Sequence, residues 1–188
     1  MSLVELIAQA DERGLAASGL ACLDRCVPLL GGDDETLRPV WASLGDDAGA
    51  GEWGERLEQA RGKLDAADAG DEAGDEAVTL AHRMLEAAPA ERSAAEVRVW
   101  ADACSVASLQ IHRLLDTAQD EASSVDSRRE GRTDGMSPLV AAELRRQVVV
   151  LEVLAGHGQA GLRRALEVST EGRRVLRAVV SRRSRQQG

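Results

Sequence analysis

Apolar residues recur three and four positions apart along almost the whole of this 188-residue chain, and no stretch sustains the two-residue alternation of a strand. That periodicity leaves room for helices and little else. It is clearest after Ser93, which with Glu96 makes the S-x-x-E signature of a helix start. Downstream, Val97, Trp100, Cys104, Ile111 and Leu115 fall within about 60° of one another at about 100° per residue, one continuous stripe. Ala107 and Leu114 widen the stripe on one side, and Ser108 is the polar residue at its other edge. This helix is expected to be central.

The remaining segments read the same way. Ser2 and Glu5 open a helix carrying Leu3, Leu6, Ile7 and Ala10 and ending before Gly14. A second turns Leu20, Leu23 and Val27 inward and stops or kinks at Pro28, whose ring collides with the carbonyl of Asp24. Residues 33–44 begin with Asp33, Asp34 and Glu35, favourable at a helix N-terminus, and Pro39 splits or shortens them. After a Gly-rich loop over 45–51, Trp53, Leu57, Ala60 and Leu64 mark a helix from Glu52, followed by an acidic turn around Gly70. Another runs from about Asp75 to Ala88, with Val78, Ala81, Met84 and Leu85 inward and Pro89 as its stop. Ser137 and Pro138 suit N-cap and N1 of a helix to about Ala155, broken by Gly156, His157 and Gly158. Two more helices, about Gln159 to Val168 and about Thr170 to Arg183, precede a fraying end. The fold class is therefore all-α, a helical bundle or stacked antiparallel hairpins of about eight or nine helices with no sheet.

Composition sets the organisation. The chain is 44% hydrophobic but has neither Phe nor Tyr and only three Trp, so its core must come largely from Leu, Val and Ala. One Lys (Lys63), two Ile and no Asn fit GC-rich coding better than functional selection. Its length suits one domain. Residues 122–137, ASSVDSRREGRTDGMS, have almost no apolar content and read as a mobile linker between an acidic helical core, 1–121, and basic C-terminal helices, 138–188, packed on it. Residues 1–126 hold 26 acids against 10 bases, a net −16, and residues 127–188 hold 6 acids against 13 bases, a net +7. Such a split directs the basic end toward an anionic partner, or toward acids of the same or a second chain. No apolar run reaches the ~18 residues of a spanning helix, so no membrane partner is expected. Met1–Ala10 has Glu5 in its apolar stretch and no basic flank, which leaves a cytoplasmic location as the expectation. Cys22, Cys26 and Cys104 are odd in number and at no framework spacing, the pattern of free thiols.

Candidate chemistry is sparse. Gly49, Gly51 and Gly54 spell GxGxxG, but a dinucleotide site needs a preceding strand, and Asp46, Asp47 and Glu52 would repel the pyrophosphate. Cys22 and Cys26 lie one turn apart without two further ligands at metal spacing, and Cys104 and His112 are about 12 Å apart along one helix, too far for a thiol and its base. Asp71, Glu72, Asp75 and Glu76 lack the order of a calcium loop. His112 and Asp116, at i and i+4, share a helix face suited to metal ligation or to a carboxylate-oriented histidine. No catalytic residue, cofactor or metal ligand is assigned.

Two segments resemble known modules. Glu76 to Pro89, EAVTLAHRMLEAAP, looks like the second helix of a tetratricopeptide repeat, which implies helices paired as antiparallel hairpins. In the C-terminal third, Ala165 to Ser169, ALEVS, resembles the turn of a helix-turn-helix DNA-binding module, although Glu167 stands where that turn usually has Gly. The resemblance implies nucleic-acid binding through the arginines of the last helix, Arg173, Arg174, Arg177, Arg182 and Arg183. A simpler reading packs that helix by its valine face and leaves the arginines solvated or paired with acids, since a chain of net charge −9 approaches DNA against its own repulsion. The expected role is a protein-interaction module, an adaptor or regulatory subunit, whose partner is another protein or a second copy. A DNA-binding regulator is the alternative, and an enzyme or metal protein with a site near His112 and Asp116 is third.

Overall fold

The computed structural model describes residues 1–49, 51–67, 75–122 and 124–187. Among them are nine α-helices and no strand: α1 (Leu3–Gln9), α2 (Glu12–Arg25), α3 (Arg38–Ala42), α4 (Glu52–Ala67), α5 (Glu76–Ala87), α6 (Ala94–Leu115), α7 (Asp126–Arg129), α8 (Pro138–His157) and α9 (Gln159–Gln187). A 3₁₀ turn over Val27–Leu29 contains Pro28 and follows the end of α2. Pro39 lies in the first turn of α3, where a missing N–H costs no helical bond. The acidic turn read at 68–74 lies outside the described residues. No described helix is long and apolar enough to cross a membrane.

Caps fix where helices begin. Ser2 and Glu5 form a reciprocal box, the Glu5 N–H donating to Ser2 Oγ at 3.3 Å and the Ser2 N–H to Glu5 Oε2 at 2.7 Å. Asp11 accepts the Gly14 N–H at 2.7 Å, so α2 starts at Glu12 and contains the glycine that marks a pause in the sequence pattern. Ser93 accepts from the Glu96 N–H at 3.2 Å and starts α6.

The central helix is α2, not α6. Every residue of α2 from Gly14 to Arg25 is buried, because α5, α6, α8 and α9 all pack around it, whereas α6 keeps one face open. Small side chains allow the close approach: a Cβ on Gly19 would stand 2.6 Å from the Trp100 ring of α6. Leu15, Leu20 and Leu23 fill the remaining space, each stabilising by about 1.5–3 kcal/mol through burial.

The C-terminal third also departs from expectation. Gly158, with φ of 54°, breaks the chain between α8 and α9, which fold back on each other, but residues 159–187 form one helix of 29 residues. Ser169 and Thr170, which could equally have capped a new helix, donate their hydroxyls backward to Ala165 O and Leu166 O at 2.8 and 2.9 Å and stay inside the ladder. The turn that a helix-turn-helix would require at 165–169 is replaced by helix, and the helix holds through Arg185 and Gln186 instead of fraying.

Within 122–137, the stretch read as a mobile linker, the chain forms α7 and buries Val125, Arg128, Arg129 and Ser137. Its polarity goes into bonds across the loop. Arg128 reaches Asp120 Oδ1 at 3.1 Å and donates to Asp134 O and Arg132 O at 2.7 and 2.9 Å.

Candidate functional site

The five C-terminal arginines do not share one face. Arg173 is buried, ion-paired with Asp24 of α2, and its Nε lies 3.1 Å from Asp34 Oδ1. Arg177 Nη2 donates to the same Asp34 oxygen at 2.8 Å, and Arg183 Nη2 lies 2.8 Å from Asp75 Oδ2. Arg174 and Arg182 are exposed. Three of the five thus meet acids from the first half of the chain.

His112 and Asp116 are also separated in role. Asp116 is the C-cap residue of α6, and its carboxylate accepts from the Ala118 and Leu139 N–H groups at 2.9 and 2.8 Å, tying α6 to the start of α8. His112 is buried with Nδ1 2.7 Å from Ser108 O. A carbonyl only accepts, so Nδ1 carries the proton and Nε2 faces Glu143 Oε2 at 3.6 Å. Burial lowers the imidazole pKa below its ordinary 6.5, against the pull of Glu143.

Glu143 is the hub of a polar network that sequence reasoning missed. Arg25 grips it with two parallel bonds, Nε to Oε2 at 2.8 Å and Nη2 to Oε1 at 2.6 Å. Ser108 Oγ and Gln147 Nε2 also donate to Oε1, at 2.8 and 3.0 Å. Ser105 Oγ donates to Gln147 Oε1 at 2.6 Å and accepts from Arg129 Nε at 3.1 Å, and Arg129 in turn pairs with Asp102. One chain of bonds therefore joins α2, α6, α7 and α8. Burial alone would raise the Glu143 pKa, but Arg25 and the surrounding donors hold it at about 2. Burial pushes the Cys22 thiol up to about 12 and raises Cys26 and Cys104 as well, so all three stay protonated. Among the described residues no three His, Cys, Asp or Glu side chains stand where they could hold a metal ion. The hydrogen bonds of the Glu143 network tie α2, α6, α7 and α8 together.

Gly49 and Gly51 precede α4, Gly54 lies in its first turn, and no strand precedes them among the described residues. The neighbouring cleft holds Arg13 and Arg92, but Arg13 pairs with Asp46, while Arg92 donates to Glu12 at 2.7 Å and lies 5.9 Å from the Trp53 ring centre. Its cations are already matched.

One face of α6 is open. A hollow of about 670 Å³ has Leu80 and Met84 of α5 as one wall, Val125 as the other, and Trp100, Ala103 and Ala107 of α6 as its floor. Trp100 is fixed before any ligand arrives: its Nε1 donates to Met84 O at 2.9 Å, and its ring meets Trp53 edge-on at 5.9 Å. Beyond it a shallower hollow of about 500 Å³ shares Ala87, Trp100 and Ala103 and passes Val99, which is 73% exposed. Arg83 and Arg113 stand at the rim. An apolar, preformed groove along a helix pair can accept an apolar helix or strand from outside. No family model, no curated protein and no solved structure matches this chain.

Proposed function

We propose that this chain is a helical protein-interaction module, an adaptor or regulatory subunit, and that it docks its protein partner on the α5–α6 face. The observation that supports this reading most directly is the combination of a rigid apolar hollow floored by Trp100 with an exposed valine beside it. Arg25, Glu143, Gln147 and Arg129, by contrast, are engaged in bonds between helices. The test is a stoichiometric complex isolated from native extract, with its contact mapped by amide exchange. Protection should concentrate over 80–113, and Val99→Asp should weaken the complex by about tenfold or more. A complex that protects a different surface and tolerates Val99→Asp would overturn the reading.

A further inference from the structure

Glu96, Val99, Ala103, Val106, Gln110 and Arg113 follow one another along α6 at alternating steps of three and four residues. This is the repeat with which a helix presents one seam to another helix. None of the six is buried. Resting on the α5–α6 docking face proposed above, we infer that its occupant is a second copy of this chain, with the two α6 helices antiparallel about a two-fold axis midway between Ala103 and Val106.

Shape and charge both favour that partner. The N-terminal half of the seam projects, since Val99 is 73% exposed, while the C-terminal half is recessed between α5 and Val125. An antiparallel two-fold sets each copy's projecting half into the other's recess. Val99 then lies opposite Gln110 of the second copy, between its Val106 and Arg113, at the C-terminal end of the hollow. Val106, Gln110 and Arg113 all line the 670 Å³ hollow. At each end of the seam Glu96 meets Arg113 of the other copy. Within one chain these two are about 25 Å apart along the helix, so only a second molecule can bring them together. Parallel pairing would instead set Glu96 against Glu96 and Arg113 against Arg113. The Arg113 guanidinium is held at the rim by donating to Ala122 O at 2.9 Å. A seam of this length, with the flank of α5, covers less than the ~800 Å² per partner of a standard interface, so dissociation is expected in about the micromolar range.

Sedimentation equilibrium on the full chain, over roughly 1 to 300 μM, reads the outcome. The mass should rise from 20.0 kDa toward twice that value. Val99→Asp should keep the chain monomeric with unchanged melting, because the side chain is exposed. Glu96→Arg and Arg113→Glu should each weaken self-association by about tenfold or more, since each sets like charges together. Mixing those two variants should restore dimers, because the heterodimer pairs opposite charges at both ends. A dimer indifferent to Val99→Asp and to both charge reversals would overturn the inference. A chain that stays monomeric throughout would overturn it too. In that case, loss of another protein partner on Val99→Asp leaves the docking face standing with a different occupant, and retention removes the docking face as well.

Discussion

Arg25 and Glu143 lie 118 residues apart in the chain and meet fork to fork in the centre of the bundle, both side chains fully buried. Taking two charges out of water costs several kcal/mol each, and their mutual attraction returns it only while both are present. Arg25→Met should therefore destabilise by about 3–5 kcal/mol, leaving a carboxylate buried among Ser108 and Gln147 with its main counter-charge gone. Replacing both, Arg25→Met with Glu143→Leu, should cost less than either change alone. Urea unfolding of the three variants gives the comparison. A double variant that loses the sum of the two single losses would show that the pair is not coupled.

The same cluster sets the response to acid. The folded-state pKa of Glu143 is about 2 against an ordinary 4.5, so its stabilisation is present above the unfolded value and is lost as pH falls through that interval. His112 is lowered from 6.5, so the unfolded chain binds its proton first, and stability declines as pH drops below about 6.5. Both contributions run in one direction. Stability should fall from pH 7 to pH 5 with a slope of at most about 1.4 kcal/mol per pH unit from His112. His112→Gln should flatten that part of the curve while leaving the loss below pH 4.5. An unchanged slope between pH 7 and 5 would place the proton uptake elsewhere.

Part of this network was written in the sequence. Val140, Glu143, Gln147, Val150 and Leu154 follow helical spacing, so Glu143 and Gln147 occupy stripe positions where a solvated residue does not belong, and all five are buried. That signal was there to read. Its partner was not, because nothing local in Arg25 names a carboxylate 118 residues away. Helix existence followed from periodicity because caps and apolar spacing are local. Helix identity at 165–170 did not, because a Ser-Thr pair can cap a new helix or bond back into an old one, and only packing against α2 and α8 decides. The hollow on α6 depends on which neighbours leave Val99 and Ala107 uncovered, a matter of tertiary arrangement. The α6 stripe was legible at Val97, Trp100, Cys104, Ile111 and Leu115, all buried, but Leu114, read as widening it, is exposed, and burial extends instead over Ser105, Ser108 and His112.

Two glycines inside helices should respond in opposite senses to the same substitution. At Gly19 a Cβ would lie 2.6 Å from the Trp100 ring, which is held by Met84 and Trp53 and cannot yield cheaply. Gly19→Ala should lose about 1–3 kcal/mol to overpacking and disturb the Trp emission. At Gly62, in α4, nothing stands within 4 Å of the added atom, and alanine is the better helix former by about 1 kcal/mol. Gly62→Ala should raise the melting temperature. A stable Gly19→Ala would mean that α2 and α6 are less closely packed than described.

Neighbouring arginines at the C-terminus separate internal from external charge. Arg173 is buried against Asp24, whose other oxygen accepts from Trp41 Nε1 at 3.2 Å, so Arg173→Ala strands a buried carboxylate that also positions α3. A loss of about 3–5 kcal/mol follows, together with a change in Trp41 fluorescence. Arg174 is exposed one position on, and Arg174→Ala should stay within about 0.5 kcal/mol of the parent. If Arg173 instead faced an outside anion, its removal would leave stability nearly unchanged and abolish salt-dependent binding to a polyanion such as heparin. Chemical denaturation of the two variants, set beside heparin affinity at low salt, decides between a residue that holds the fold and one that serves a ligand.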